Sequence, residues 1–128
     1  MNKSTRILVW NKYHHHCAYC GNPIEYKDMQ VDHFIPQRLA WWFRTDVYIA
    51  KYHLQGYVHD ISNLMPSCRR CNHYKRGELP EAFRIIMKTI HERIAQIYIC
   101  KVAQDFGIME LKPWNGIFYY EKSNIFTK

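Results

Sequence analysis

The sequence predicts a small α+β domain stabilised by zinc, with a helical C-terminal extension and a short terminal strand. Four of the five cysteines form two Cys-x-x-Cys pairs, and short strand-like segments alternate with helical patterns. The 128 residues are 48% hydrophobic and 23% charged, which fits one compact folded domain. We expect residues 1–79 to form the zinc-bearing core and residues 80–128 to form an extension packed on the same domain.

The first elements surround the first cysteine pair. Residues 5–12 have the pattern of a short helix, and its inward residues would be Ile7, Leu8 and Trp10. Residues 17–21 favour a tight turn. Residues 29–35 alternate in a strand-like way until Pro36 ends the segment.

The next segment, residues 37–58, is rich in aromatic side chains and is expected to contain one or two helices. The run Trp41-Trp42-Phe43 fits either stacking on nucleic-acid bases or a core cluster, and we favour the core. Residues 63–65 predict a short strand closed by Pro66. Residues 69–76 predict a helix that stops at Gly77.

The C-terminal part of the chain has a helical pattern over residues 80–106. We expect two helices, or one helix bent near His91, with Gly107 at the end. Residues 116–120 are typical of a strand. Apolar side chains at helical spacing should form the packing face: Phe83, Met87, Ile90, Ile94 and Ile97, then Tyr98, Cys100, Val102 and Phe106.

The two cysteine pairs predict a structural zinc site. Cys17 and Cys20 are separated from Cys68 and Cys71 by 47 residues, and two such pairs supply the four thiolates of a closed tetrahedral site. A redox pair or unliganded buried thiols would be the alternative, but the doubled pattern favours zinc. The neighbouring residues 14–16 are three histidines, which we interpret as a solvated loop because four thiolates already complete the site.

The net charge of the chain and the expected cellular compartment limit the classes of protein to which it could belong. Eighteen lysine and arginine residues against 11 aspartate and glutamate residues give a net charge of +7. Small proteins this basic most often bind nucleic acid, although a merely soluble basic surface has the same composition. No apolar run suits a membrane span or a signal peptide, so we expect a cytoplasmic protein with reduced thiols. His53, His59 and His91 are interpreted as surface or capping residues. His59 and Asp60 closely precede Asn63 in the chain, and the alternative that they border the same site is not favoured.

The residues between and after the cysteine pairs follow a distinctive order. Asp32-His33 comes first, Asn63 second, and Asn72 directly after the second cysteine pair. Residues 31–37 and 63–75 resemble the motifs of the HNH endonuclease family, whose members are His-Me finger or ββα-metal nucleases. The resemblance covers about residues 17–77. The final histidine of the family pattern is Asn72 here, so the chain resembles an HNN variant.

The resemblance implies a ββα unit and a role for each motif residue. His33 would end the first strand and act as the general base that activates water. Asn63, on the second strand, would fix the loop backbone that aims His33. Asp32 and Asn72 would offer oxygen ligands to a catalytic Mg²⁺ or Mn²⁺, with His73 as an alternative ligand. The basic residues of the third motif would contact phosphates: Arg69, Arg70, Lys75 and Arg76.

The predicted function is therefore metal-dependent cleavage of phosphodiester bonds in DNA, with double-stranded DNA as the expected partner and a bacterium or phage as the expected source. A zinc-containing nucleic-acid-binding module without catalysis is the main alternative. A small toxin-like protein whose basic surface meets an acidic partner is the second alternative.

Overall fold

A computed structural model describes residues 1–39, 50–52 and 59–122. Helices and a two-stranded antiparallel sheet are both present, which confirms the α+β class. The predictions for residues 40–49 and 53–58, including the cluster Trp41-Trp42-Phe43 and His53, lie outside the described residues. The elements are α1 (Lys3–Asn11), a 3-10 turn (Tyr26–Asp28), β1 (Gln30–His33), a second 3-10 turn (Ile61–Asn63), β2 (Leu64–Ser67), α2 (Arg69–Lys75), α3 (Pro80–Lys88), α4 (Ile90–Ala95), α5 (Tyr98–Asp105) and α6 (Tyr119–Lys122).

The chain forms two compact units. We call them the sheet unit, which comprises Met1–Pro80 with Phe118–Lys128, and the helical unit, which comprises Glu81–Ile117. The packing of residues 80–128 as a single extension stays a prediction. No helix within the described ranges is both long and apolar enough to cross a membrane.

The sheet unit is built on β1 and β2. The strands are antiparallel, with Gln30 opposite Ser67 and His33 opposite Leu64. The prediction that Pro66 closes the second strand is wrong, because β2 continues to Ser67. A strand with only one neighbour has a free edge, so the missing N–H of proline leaves no partner unsatisfied. The carbonyl of Pro66 accepts the N–H of Ala18 at 2.8 Å and so attaches the first cysteine loop to β2.

Helix α1 packs on this sheet through Val9, which is fully buried. The predicted helix is present, but the expectation that Ile7 and Leu8 face inward is wrong, since Leu8 is 59% exposed. Trp10 packs beside Val9, and its indole N–H donates to the carbonyl of Ile24 at 2.9 Å. Val9 forms a buried cluster with Ile24, Met29 and Leu64.

The helical unit contains three helices where two, or one bent helix, were predicted. The chain breaks at Thr89 and again at Gln96–Ile97, and Gly107 ends α5 with a φ of +71°, as predicted. Phe83 is buried, but the second predicted stripe is wrong. Tyr98 and Phe106 are 81% and 78% exposed. Helical spacing identified a common face, but the face of α5 has no apolar cover within the described part of the chain.

The predicted terminal strand is also wrong, because α6 begins at Tyr119. The backbone N–H groups of Tyr119 and Tyr120 donate to the carbonyls of Tyr19 and Ala18 at 2.9 and 2.7 Å. Gly21 makes this approach possible. Its φ is +80°, and a Cβ there would lie 2.6 Å from the Tyr119 ring. The α6 segment is thus fastened to the first cysteine loop.

Candidate metal centre and active site

The sulfur atoms of Cys17, Cys20, Cys68 and Cys71 lie within 4.8 Å of one another and could hold a metal ion. The Sγ atoms of Cys20 and Cys68 are 3.8 Å apart. Four sulfurs at Zn–S bond lengths of about 2.3 Å around a tetrahedral zinc would lie about 3.8 Å apart. The cluster therefore has the ligand type and the spacing of a structural zinc site.

Backbone N–H groups point at three of these sulfurs. The amides of Tyr19, Asn22 and Cys71 each lie 3.4 Å from a sulfur, donating to Cys17, Cys20 and Cys68 respectively. Donors around a thiolate stabilise its charge, which favours metal binding. Cys100 is not part of the cluster and is half-buried on α5.

The three consecutive histidines have other contacts. The ring of His15 stacks on Trp10 with centroids 3.4 Å apart, and its Nε2 lies 2.8 Å from the side-chain oxygen of Asn11. The Nδ1 of His16 lies 2.8 Å from the carbonyl oxygen of His14. Among the described residues, the candidate metal cluster contains cysteines alone.

Beside the cysteine cluster, the ββα arrangement forms a cleft of about 300 Å³. Asp32 and His33 reach it from the end of β1, and Asn72 reaches it from the first turns of α2. The three side-chain types that the motifs nominated therefore border one space. The cleft is also lined by Val31, Pro36, Gln37, Arg38, Arg76 and Gly77.

Asn63 lies behind this cleft, in the 3-10 turn before β2 rather than on the strand. Its side chain is fully buried. The side-chain oxygen accepts the N–H of Ile35 at 2.8 Å, and the side-chain nitrogen donates to the carbonyl of Ile35 at 3.1 Å. The backbone carbonyl of Asn63 also accepts the N–H of Phe34 at 2.8 Å. Asn63 therefore holds both backbone groups of Ile35, two residues after His33.

Asp32 is buried and has two partners. The hydroxyl of Tyr19, which lies between the two cysteines of the first pair, donates to Oδ2 of Asp32. The Nζ of Lys75 lies 3.1 Å from Oδ2 and 3.4 Å from Oδ1. Burial raises the pKa of Asp32, and the attraction of Lys75 offsets only part of that effect. Tyr19 thus connects the cysteine cluster directly to the cleft.

Of the four residues predicted to contact phosphates, one is buried and three are exposed. Lys75 is fully buried against Asp32 and also donates to the carbonyl of His33 at 3.1 Å, so the prediction that it contacts a phosphate does not fit its position. Arg76 is exposed and lines the cleft. Arg69 and Arg70 are exposed on α2 but are not among the residues that line the cleft.

The predicted alternative ligand does not border the cleft. His73 is exposed, and its ring lies edge-on to Tyr74 with centroids 5.6 Å apart. It follows Asn72 on α2, and adjacent residues of a helix point in different directions.

His33 has His59 as a neighbour, and His59 is exposed, as predicted. The Nε2 of His33 lies 3.2 Å from the Nδ1 of His59. Burial lowers the pKa of His33, and the nearby His59 and Lys75 lower it further. Proximity of His59 to Asn63 along the chain was the available signal, but nothing in the spacing indicated which ring it would meet.

Comparison with known proteins gives a partial likeness. The chain is 33% identical over 66 residues to a protein named CRISPR-associated endonuclease Cas9 from Corynebacterium diphtheriae. The matched region is 52% of this chain but only 5% of that protein, so the chain spans a small fraction of its relative. No family model and no solved structure matches the chain. The likeness and the four-cysteine cluster together fit a zinc-containing HNH-type module.

Proposed function

We propose that the chain is an HNH endonuclease that hydrolyses phosphodiester bonds in DNA with the help of a divalent cation. One observation carries the proposal: a carboxylate, an imidazole and an amide, from Asp32, His33 and Asn72, border a single cleft beside a candidate zinc site. The partial likeness to a protein named an endonuclease supports it. The nuclease core would comprise residues 1–79, with double-stranded DNA as the substrate.

His33 is the general base of the proposed reaction. A base must be uncharged to take a proton from water, and burial together with His59 and Lys75 lowers the pKa of His33. The imidazole is therefore neutral at neutral pH. Asn63 supports this role because its two hydrogen bonds to Ile35 fix the loop that follows His33.

Asp32 and Asn72 are the groups that would hold Mg²⁺ or Mn²⁺. The donor set suits such a cation, since carboxylate and amide oxygens are hard ligands and such cations retain several waters. Oδ2 of Asp32 is engaged by Tyr19 and Lys75, whereas the contact of Oδ1 within the described ranges is the longer one with Lys75, at 3.4 Å. The cation would offset the charge of the scissile phosphate. Arg76 borders the same cleft and would contact a phosphate, with Arg69 and Arg70 on the neighbouring exposed face of α2.

A plasmid-nicking assay with the zinc-loaded full chain and Mg²⁺ tests this function. We expect His33→Ala to reduce cleavage by about 100-fold or more, the scale of a lost general base. His14→Asn is the matched control, because His14 is an exposed histidine and asparagine tolerates its left-handed backbone conformation. Equal cleavage by wild type and His33→Ala would overturn the assignment of the base.

The alternative, a zinc-containing nucleic-acid-binding module without catalysis, is favoured by the ion pair that engages Asp32. It predicts salt-dependent DNA binding without cation-dependent cleavage. The same protein preparation, assayed by gel shift and by nicking, separates the two functions. Tight, salt-dependent DNA binding with no cleavage at any cation concentration would support the binding module.

A further inference from the structure

The ring of His33 has two polar neighbours. Its Nε2 lies 3.2 Å from Nδ1 of His59, and the two rings are nearly perpendicular at 84°. The side-chain nitrogen of Gln37 lies 3.2 Å from Nδ1 and 3.4 Å from Nε2 of His33, so it is nearly equidistant from the two ring nitrogens.

The contact with His59 leaves one nitrogen of His33 for the cleft. His33 and Gln37 line the cleft, whereas His59 is not among the described residues that line it. The Nε2 edge of His33 is directed towards the turn that carries His59, so Nδ1 is the nitrogen that His59 does not engage.

One arrangement of protons satisfies both contacts of His33. A neutral imidazole has one N–H donor and one acceptor nitrogen. With the proton of His33 on Nε2, the Nε2–H donates to Nδ1 of His59, and the side-chain nitrogen of Gln37 donates to Nδ1 of His33. The reverse arrangement, in which an Nδ1–H of His59 donates to Nε2 of His33, is the alternative that the spectra described below distinguish from it.

From this geometry we infer that His59 is a positioning residue, which accepts the Nε2–H of His33 and keeps the Nδ1 lone pair of His33 directed into the cleft. The inference deepens the proposed function, since the lone pair matters for catalysis only if His33 is the base. When Nδ1 takes a proton from water, His33 becomes an imidazolium, and its Nε2–H bond to His59 becomes a charge-assisted hydrogen bond.

The turn that carries His59 is fixed by its own hydrogen bonds. The side chain of Asp60 accepts the N–H and the hydroxyl of Ser62 at 2.9 and 2.6 Å, and the carbonyl of Asp60 accepts the N–H of Asn63 at 2.9 Å. The same short segment therefore holds the ring of His33 through His59 and the backbone after His33 through Asn63.

The first test reads the tautomer and needs no activity. Long-range ¹H–¹⁵N spectra of the zinc-loaded full chain, at a pH where both rings are neutral, should show His33 with its proton on Nε2. His59→Ala should shift the ¹⁵N resonances of His33 towards a mixture of tautomers. His59→Asn should restore the wild-type pattern, because its side-chain oxygen can replace Nδ1 as acceptor. A wild-type His33 with its proton on Nδ1, or spectra unchanged in His59→Ala, would overturn the inference.

The second test reads catalysis. His59→Ala should lower kcat about 10- to 100-fold with little change in KM, the scale of losing a residue that orients a reacting group. His59→Asn should recover most of kcat, and His14→Asn should match wild type. A rise in KM at unchanged kcat would overturn the positioning role. If wild type does not cleave DNA while the tautomer result holds, the proposed function fails and the role of His59 in orienting His33 stands.

Discussion

The sheet unit and the helical unit differ in what they bury and what they expose. Nearly all of the buried apolar residues that the structure describes lie in the sheet unit, and among its described residues four polar or charged ones are buried with them: Asp32, Asn63, Ser67 and Lys75. In the helical unit Phe83 is buried, whereas other large apolar residues are exposed: Ile85, Ile97, Tyr98, Ile99, Val102, Phe106 and Ile108. The first unit therefore encloses polar groups within an apolar core, and the second forms helices that leave apolar side chains uncovered in the described part of the chain.

Burying the charged groups of Lys75 and Asp32 costs the sheet unit free energy, which other interactions must offset. Burial lowers the pKa of Lys75 and raises the pKa of Asp32, and in each case the attraction of the partner offsets only part of the shift. Buried ion pairs of this kind contribute little net stability because desolvation is costly. A metal held by the four-cysteine cluster would cross-link the first cysteine loop to the start of α2, and we expect the stability of this unit to depend on it.

Removing the metal should cause the largest loss of stability, and the loss should be confined to the sheet unit. Structural zinc contributes on the order of 10 kcal/mol or more to small domains, so Cys71→Ser or a strong chelator should abolish the cooperative thermal transition of the sheet unit. Elemental analysis should find about one zinc per chain, the stoichiometry of a single closed site. Cys100→Ser lies outside the cluster and is the control. It should retain the cooperative thermal transition and the bound zinc. A thermal transition that is unchanged by chelator would contradict the dependence of the sheet unit on metal.

Breaking the buried ion pair between Lys75 and Asp32 should cause the second-largest loss of stability. Lys75→Met leaves the carboxylate of Asp32 buried without its cation, which should lower the free energy of unfolding by about 3–5 kcal/mol in urea titrations. Lys101→Met, on the exposed surface of α5, should change it by less than about 0.5 kcal/mol. The pair Asp32→Asn with Lys75→Met should recover part of the loss. Equal effects at positions 75 and 101 would contradict the importance of the ion pair.

A smaller, pH-dependent effect should come from Lys12, whose Nζ donates to the carbonyls of Ile61 and Leu64 at 3.1 and 2.8 Å. Burial lowers its pKa from 10.5 to about 8. Between these values the unfolded chain binds more protons than the folded chain, so this residue makes stability rise with pH, by up to about 1.4 kcal/mol per pH unit. Lys12→Met should remove that slope in denaturant titrations from pH 8 to 10.5. If the free energy of unfolding changes with pH equally in wild type and Lys12→Met, this role of Lys12 is contradicted.

The smallest change in stability should come from the helical unit. Phe106→Ser alters a side chain that is 78% exposed, so the free energy of unfolding should change by less than about 0.5 kcal/mol. Self-association in analytical ultracentrifugation should not increase, because the substitution removes exposed apolar area. A large loss of stability would mean that Phe106 is covered and would weaken the contrast between the units.

The features that sequence predicted well are those whose chemistry demands certain residues at certain positions. The spacing of Cys17, Cys20, Cys68 and Cys71 predicted their convergence because a tetrahedral thiolate site has few other solutions. The strand pair and α2 followed from alternation and from the cysteine positions. Helical spacing in α5 identified a helix, but spacing cannot say whether a partner covers its apolar face.

The phosphate contact predicted for Lys75 does not fit its position, and the contact between His59 and His33 was not predicted, for two different reasons. Lys75 stands four residues after Cys71, and residues at that separation share one face of a helix. A cysteine that reaches the buried cluster therefore also turns Lys75 inward, a signal in the sequence that the prediction of a phosphate contact did not use. His59 is 26 residues from His33, and its contact depends on how the intervening chain returns to β1. Local sequence patterns do not specify the path by which the chain comes back to β1.

The two backbone hydrogen bonds from Tyr119 and Tyr120 to the first cysteine loop have a consequence for biosynthesis. The sheet unit is interrupted in the chain by Glu81–Ile117, so its last contacts join segments that are about a hundred residues apart. During translation, the loop with Cys17 and Cys20 leaves the ribosome long before its partner segment does. Nascent chains halted before residue 118 should therefore expose Tyr19 and Gly21, and the unit should close only after synthesis has passed that point.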